Sequence, residues 1–465
     1  MASAEQDMRE SYRVIVLGRG GTEALLVPSG ERYMLPTVEI VRWQRVAENL
    51  NAAVRSDWGE EVVCLFERET APPTDGVLMR YQAAEHLCTR GDPKIPTRWM
   101  SLSALRKDSL IDGGDYSAIK EVIGICNGEI ECSSPGAFSH FGWFSELRNW
   151  IELIVEPMGF HVNGKFRQLN ASPSFSLIRF ETDGPAVWFK AVGEPNLREF
   201  PITLALSGLF PKYLPQIFAV QPECNGWLTR EVEGTSLSEI QENTWWETAA
   251  VALAKLQIES ISVSAPILKS GAHDLRVVAI SKLVDPFLGV MHRLMEQQTK
   301  ATPRALSRKE LALLGEHIRN ALRLLKTSDI PDSLGSLDFN PGNIIASKNG
   351  SKFLDWAEAY VGHPFLTFAY LLEHFRRAVT GDANLERQLT TSYTAPWKQL
   401  FSPGAIAESL TVAPLLAVFA YASGCGLCSE ERLRDPENAA YLRGLTRRMN
   451  REANEMRDRR LACLS

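Results

Sequence analysis

Apolar and polar positions alternate along the first half of this chain and recur at helical spacing along the second. Residues 12–17, 24–27 and 33–35 read as strands, broken by Arg19-Gly20-Gly21 and Ser29-Gly30-Glu31; a helix is expected over 41–58 and another strand over 62–66. A second group of strands falls at 164–170, 175–182 and 186–192, the last two joined by Asp183-Gly184, a strong hairpin signal. The alternation in FSLIRFET and AVWFKAV predicts a sheet with one buried face. Residues 226–234 read as one more strand and the exit from that sheet.

From there the period changes. Trp246, Ala250, Leu253, Ala254 and Leu256 predict a helix over 244–258, and Leu311, Leu314, Ile318, Leu322 and Leu325 predict another over 309–325; the pattern resumes at 365–379. The uncharged stretch 409–429 is long enough on count to span a bilayer, but it contains Pro414, Gly424 and Gly426 and is expected to be a buried helix ending at Gly424. The charged tail, 430–460, is expected to form a surface helix carrying Tyr441, Leu442, Leu445 and Met449.

With 465 residues there is room for more than one domain. The stretch 126–141, CNGEIECSSPGAFSHF, has no periodicity and is read as a linker between an α/β domain at 1–125 and a domain at 142–465. The latter opens on an amphipathic helix over 142–155 and divides near residue 235 into a β-rich small lobe and a helical large lobe. It is expected to fold alone.

The chemistry concentrates in SLDFNPGNII, residues 336–345, and in FLDWAEA, which follows it. Asp338 and Asn343 stand in a D-x-x-x-x-N frame. A hairpin through Ile344-Ile345 and Lys352-Phe353-Leu354, with Pro341-Gly342 before it and Lys348-Asn349-Gly350 at its turn, would return Asp355 toward Asn343. One carboxylate to take the proton of a hydroxyl, and hard oxygen ligands from an Asn and a second Asp to hold Mg²⁺ on nucleotide phosphates, form the set an ATP-dependent phosphotransferase needs. Singly, each residue is compatible with an ordinary turn. Order and spacing together carry the reading.

At these residues the chain resembles the aminoglycoside phosphotransferase and choline kinase-like family, whose large lobe reads H-G-D-x-x-x-x-N, then I-D-W, then G-x-P-x-x-D-L-A. Here those motifs read Ser336-Leu337-Asp338 through Asn343, Leu354-Asp355-Trp356, and Gly362 through Ala369. Ser336-Leu337 replaces His-Gly, and Thr367-Phe368 replaces Asp-Leu. In the family the replaced His and Asp brace the catalytic loop. The resemblance implies a protein kinase-like fold using ATP and Mg²⁺, with Asp338 as base and Asn343 and Asp355 as metal ligands. It also implies that Lys190, in the third small-lobe strand, contacts the nucleotide phosphates. Glu199, early in the next helix, is then its ion-pair partner. A solvent-facing lysine on an edge strand, or a pairing with Glu194, are the alternatives. NASPSF stands in place of a glycine-rich loop, with Ser172 and Ser174 as candidate phosphate neighbours. Glu231, Val232 and Glu233 fall where the family offers backbone groups to the adenine ring.

The N-terminal order of elements weakly resembles a Nudix hydrolase domain. With Gly59 as the last glycine of that family's box, the critical positions become Val38, Gln44, Ala52, Ala53, Ser56 and Asp57. One Asp among these cannot gather the carboxylates that hold Mg²⁺ against a diphosphate. The domain is expected to be either a non-catalytic Nudix-like fold, used for packing, oligomerisation or ligand sensing, or an unrelated α/β domain.

A net charge of −6 gives no basic footprint for nucleic acid, and 45% hydrophobic residues supply ample core. Eight cysteines without framework spacing suit a reducing compartment; only Cys425-x-x-Cys428 hints at metal or redox chemistry, with no second pair and no nearby His. The first twelve residues are polar and charged, unlike a signal peptide. The expected class is α+β, a two-lobed protein kinase-like fold preceded by a separate α/β domain. The expected function is that of a cytoplasmic, ATP- and Mg²⁺-dependent phosphotransferase acting on a small-molecule hydroxyl acceptor. No nucleic-acid or membrane partner is expected, and the N-terminal domain is a candidate surface for self-association. The rival is a nucleotide-binding or regulatory protein that kept the fold and lost the reaction.

Overall fold

Strand-period alternation builds the first part of the chain. The structure, a computed structural model, describes residues 9–42, 44–69, 79–131, 136–379 and 383–464. They form two units, Met1–Phe200 with Gln216–Glu231, and Pro201–Pro215 with Val232–Ser465.

In the first unit, β1 (Arg9–Gly18), β2 (Glu23–Ser29), β3 (Arg32–Met34), β4 (Thr37–Val41), α1 (Val46–Trp58), β5 (Glu60–Glu69), β6 (Arg80–Thr89), β7 (Arg98–Ser101) and α2 (Gly113–Cys126) follow in turn. The sheet order is β3-β2-β1-β6-β5, with β4 beside β1 and β7 beside β2, and β1 runs parallel to β6. The helix expected over 41–58 begins only at Val46. Ahead of it, exposed Thr37 and Glu39 alternate with buried Val38 and Ile40, and this segment pairs antiparallel with β1. A strand period thus precedes the helical one.

After α3 (Trp143–Val155) comes a second sheet of β8 (Val162–Ala171), β9 (Ser176–Thr182), β10 (Val187–Ala191), β11 (Ile217–Gln221) and β12 (Gly226–Arg230). Its order is β11-β12-β10-β9-β8, with every neighbouring pair antiparallel. The strict in-out alternation of β9 and β10 is the one their sequences predict.

The two sheets share a core. Ile15, Leu26 and Leu65 of the first, Val122 of α2, Trp143, Leu147 and Ile151 of α3, and Ile178, Phe180 and Phe189 of the second belong to one buried cluster. Gln168 of β8 strengthens the junction by imitating a strand. Its Oε1 accepts the Cys64 N–H at 2.8 Å and its Nε2 donates to the Cys64 carbonyl at 2.9 Å, both buried. Asn51 of α1 donates to the same Oε1 at 3.3 Å, and Glu48 of α1 pairs with Arg167 of β8. The helix aligned with the Nudix box therefore packs on β8. Of the segment read as a linker, residues 132–135 lie outside the described residues, but Phe138 is buried in the shared core.

α4 (Glu199–Leu209) begins in the first unit. The second unit continues with β13 (Thr235–Ser236), α5 (Asn243–Ser260), α6 (Ser264–Lys269), β14 (His273–Leu275), α7 (Val277–Ser281), α8 (Val284–Glu296), α9 (Arg308–Thr327), β15 (Ser333–Ser336), β16 (Ile344–Ser347), β17 (Gly350–Phe353), β18 (Ala359–Gly362), α10 (Phe365–Ala378), α11 (Ala383–Lys398), α12 (Pro403–Gly424), α13 (Glu430–Leu433) and α14 (Pro436–Leu464). Its strands form two small sheets, β13-β16-β17 and β14-β18-β15. A reciprocal Ser307–Glu310 capping box starts α9. Two helical stretches, Asn243–Lys269 and α12, are long and apolar enough on count to cross a membrane. In α12, however, Val412, Leu415, Leu416 and Phe419 are buried in one cluster with Phe287 and Met291 of α8. The tail is more than a surface helix: Leu442, Met449, Ala453 and Met456 of α14 join the same cluster. Its charges, which set the expectation, occupy the other positions around the helix.

Candidate active site

All four residues of β15 are buried, and so are Leu337 and Phe339 just beyond it, while Asp338 between them is exposed to solvent. Three groups hold Asp338 in place. Its N–H donates to Ser336 Oγ at 3.2 Å, Asn343 Nδ2 donates to its carbonyl at 3.4 Å, and Asn340 Nδ2 donates to its Oδ1 at 3.1 Å. Asn340 is itself fixed, since its Oδ1 accepts the Gly342 N–H at 2.9 Å as the chain turns through Pro341–Asn343.

The hairpin forms as its turn residues predict. Ile344 pairs with Phe353, and the Leu354 N–H donates to the Asn343 carbonyl at 2.8 Å, which brings the chain back past Asn343 at Asp355. Asp355 has φ 58°, a left-handed conformation that Asp tolerates better than most residues. The hairpin is tied down by Phe353, whose N–H donates to the Tyr213 carbonyl at 2.8 Å, and by Lys352, whose Nζ donates to the carbonyls of Pro211 and Leu214 at 2.9 Å each. Burial lowers the Lys352 pKa from its ordinary value.

The donor set suits Mg²⁺. Because Asn343 Nδ2 is engaged with the Asp338 carbonyl, its Oδ1 is the amide atom left to act as a ligand. An amide oxygen and the Asp355 carboxylate are hard donors for an ion that keeps several waters or phosphate oxygens. Among the described residues no group of three or more His, Cys, Asp or Glu gathers as a metal site, Cys425 and Cys428 included.

Ser336 and Thr367, the two departures from the family motif that concern the brace, belong to one network. Thr367 Oγ1 accepts the Ser336 N–H at 3.0 Å and donates to the Ser336 carbonyl at 3.3 Å. The Tyr360 hydroxyl accepts the Thr367 N–H at 3.1 Å and lies 2.9 Å from Thr367 Oγ1. A relay of neutral hydroxyls thus supports the loop. The relay needs glycine at 335: a Cβ there would lie 2.2 Å from the Tyr360 ring and 2.5 Å from Thr367 Oγ1. Burial raises the Tyr360 pKa above its ordinary value, so the hydroxyl stays protonated. Sequence reasoning missed Tyr360, whose role depends on the pairing of β18 with β15 that sets it opposite Gly335.

Beside this network His363 is 2% exposed, and its Nδ1 accepts the Phe365 N–H at 3.3 Å. Its Nε2 has no hydrogen-bond partner among the described residues, and burial pushes the imidazole pKa down to about 3. His374, Tyr421 and Cys425 lie close enough to Asp338 to feel its charge, although burial acts on each more strongly, lowering the histidine pKa and raising the other two.

In the first unit, Lys190 forms an ion pair with Glu199, whose side chain is 2% exposed. β10 lies between β9 and β12, so Lys190 is not an edge-strand lysine. Its Nζ also sits 5.8 Å from the centre of the Trp227 ring. Ser172 and Ser174 serve the loop itself. Ser172 Oγ accepts the Phe175 N–H at 2.9 Å, and Ser174 packs against Gly193, where a Cβ would meet its Oγ at 2.2 Å. The Pro173 carbonyl between them accepts the Phe138 N–H at 3.0 Å. Glu231 is a strut: its carboxylate accepts from Arg179 Nη2 at 2.9 Å and from Trp188 Nε1 at 3.3 Å, while its N–H donates to the Ala186 carbonyl at 2.9 Å. Arg179 holds the Glu231 carboxyl pKa below its usual value. Val232 is half-buried and Glu233 exposed at the start of the next unit's segment.

No family model matches the chain, and no curated protein matches it. Among solved structures it is similar to small-molecule kinases. A macrolide 2'-phosphotransferase type I is 14% identical, with a TM-score of 0.41 over 64% of this chain and 95% of the other. A choline kinase from Cryptosporidium parvum is 13% identical, with a TM-score of 0.46 over 67% and 96%. A choline/ethanolamine kinase family protein from Mesorhizobium loti is 15% identical, with a TM-score of 0.44 over 67% and 98%.

Proposed function

We propose that the chain is an ATP- and Mg²⁺-dependent phosphotransferase acting on the hydroxyl of a small molecule. The observation that carries this reading is the Lys190–Glu199 pair. A buried carboxylate that holds a strand lysine by ion pairing fixes its ammonium in one place, as a lysine–glutamate pair must where the lysine meets nucleotide phosphates in phosphoryl transfer.

Asp338 would accept the acceptor's proton as the hydroxyl oxygen bonds to the γ-phosphorus and the bond from that phosphorus to the β-phosphate's bridging oxygen breaks, leaving ADP. Asn343 and Asp355 would hold Mg²⁺, which when bound neutralises charge on the phosphates. Lys190 would fix the α- and β-phosphates. The hydroxyl relay through Thr367 and Tyr360 favours an active protein over one that only binds nucleotide, because it keeps the Asp338 loop supported by other chemistry. The acidic net charge supports a partner list without nucleic acid, and the reading places the reaction in the cytoplasm, where ATP is available.

The test is an acceptor screen read by mass spectrometry for phosphate transfer, repeated with Asp338→Ala. Transfer by the variant should fall by about 10²- to 10⁴-fold with little change in ATP affinity. A wild-type protein that binds Mg²⁺–ATP tightly yet phosphorylates no acceptor would replace this reading with the regulatory one.

A further inference from the structure

The amide of Asn340 lies between two fixed groups, and together they settle which way it points. The Gly342 N–H is a donor and needs an acceptor, so the end of the amide facing it, at 2.9 Å, must be Oδ1. The other end, Nδ2, then faces Asp338 Oδ1 at 3.1 Å. Ser336 and Asn343 hold Asp338 at its main-chain N–H and carbonyl, and this third bond, the one made to the carboxylate itself, restrains its rotation. With Oδ1 engaged by Asn340, Oδ2 keeps both its lone pairs for an acceptor hydroxyl.

We infer that Asn340 is a positioning residue for Asp338, acting through the Nδ2–Oδ1 hydrogen bond to orient the carboxylate for proton acceptance. The inference rests on the phosphotransferase reading. Its competitor is plain: Asn before Pro-Gly is also a turn-forming residue, and the bond to Gly342 is the turn.

Asn340→Asp separates the two roles. Aspartate accepts from the Gly342 N–H as well as asparagine does and so keeps the turn, but it cannot donate to Asp338 and sets a second carboxylate against it. If Asn340 positions Asp338, the variant should lose about 10²-fold in kcat, a general-base-sized effect, with its KM for Mg²⁺–ATP and its melting temperature unchanged. If Asn340 only forms the turn, Asn340→Asp should work at the wild-type rate while Asn340→Ala is impaired, and that result overturns the inference. A second measurement needs no activity. In ¹⁵N-asparagine-labelled full chain, Asp338→Ala should move the Asn340 side-chain amide resonances, and resonances that stay in place overturn the positioning role by themselves. Resonances that move in a protein that transfers to no acceptor support the contact and overturn the phosphotransferase reading instead.

Discussion

At the residue scale, the proposed site separates into groups assigned a chemical role and groups that hold them. Asp355 belongs to the first. Its left-handed backbone is one that Asn also adopts readily, so Asp355→Asn changes the charge of the proposed metal ligand without adding backbone strain. The variant should melt at the wild-type temperature and lose the Mg²⁺-dependent part of its ATP affinity; titration calorimetry showing the same affinity with Mg²⁺ present would remove Asp355 from the metal site. Thr367 belongs to the second group. Thr367→Val takes away the acceptor for the buried Ser336 N–H and one partner of the Tyr360 hydroxyl, which keeps the His363 carbonyl. That should cost about 1–3 kcal/mol in urea unfolding and lower kcat while Mg²⁺–ATP affinity holds. The three positions proposed for the chemistry stand out in the sequence because their spacing is a property of a short stretch of chain. Thr367, read only as a departure from a motif, acquires its role from Tyr360 and Ser336, which reach it across a sheet.

At the element scale, short-range signals predicted the hairpin of β16 and β17 and the alternating strands β9 and β10. They failed where two periods adjoin, at β4 and α1. The entry to α10 carries a pH dependence. His363 must be neutral for its Nδ1 to accept the Phe365 N–H, and burial keeps it so down to about pH 3, against an ordinary value of 6.5. The sign follows from linkage: below pH 6.5 the unfolded chain takes up a proton that the folded one refuses. The stability associated with this residue is therefore fully present above about 6.5 and falls between there and 3, by at most about 1.4 kcal/mol per pH unit. Urea midpoints measured across that window should fall with acid in the wild type and less steeply in His363→Gln; equal slopes would show that other groups carry the acid sensitivity.

At the scale of the whole molecule, the aperiodic stretch 126–141 suggests a boundary after which 142–465 would fold alone. The buried cluster that joins Ile15 and Leu65 to Phe180 and Phe189 predicts otherwise, as does the pairing of Gln168 with the Cys64 backbone. A fragment starting at Gly142 would expose one side of that cluster and leave Gln168 without its partners. We expect it to be insoluble, or to unfold well below the full chain, and Gln168→Leu in the full chain to cost about 1–3 kcal/mol by leaving the Cys64 amide and carbonyl unpaired. A soluble fragment with the melting temperature of the intact protein would show that the two sheets are independent after all.

The sequence alone determined the α+β class, the alternating strands, the core stripes of the long helices and the order of Lys190, Glu199, Asp338, Asn343 and Asp355. Each of these follows from periodicity or spacing within a few tens of residues, where local sterics and burial dominate. Only the tertiary structure decided that Glu199 pairs with Lys190, that Ser172 and Glu231 brace the local structure, that a hydroxyl relay supports Asp338, that α1 packs on β8 and that the two sheets share a core. Those outcomes depend on which side chains meet from distant parts of the chain, and such meetings are set by strand register and packing rather than by local pattern.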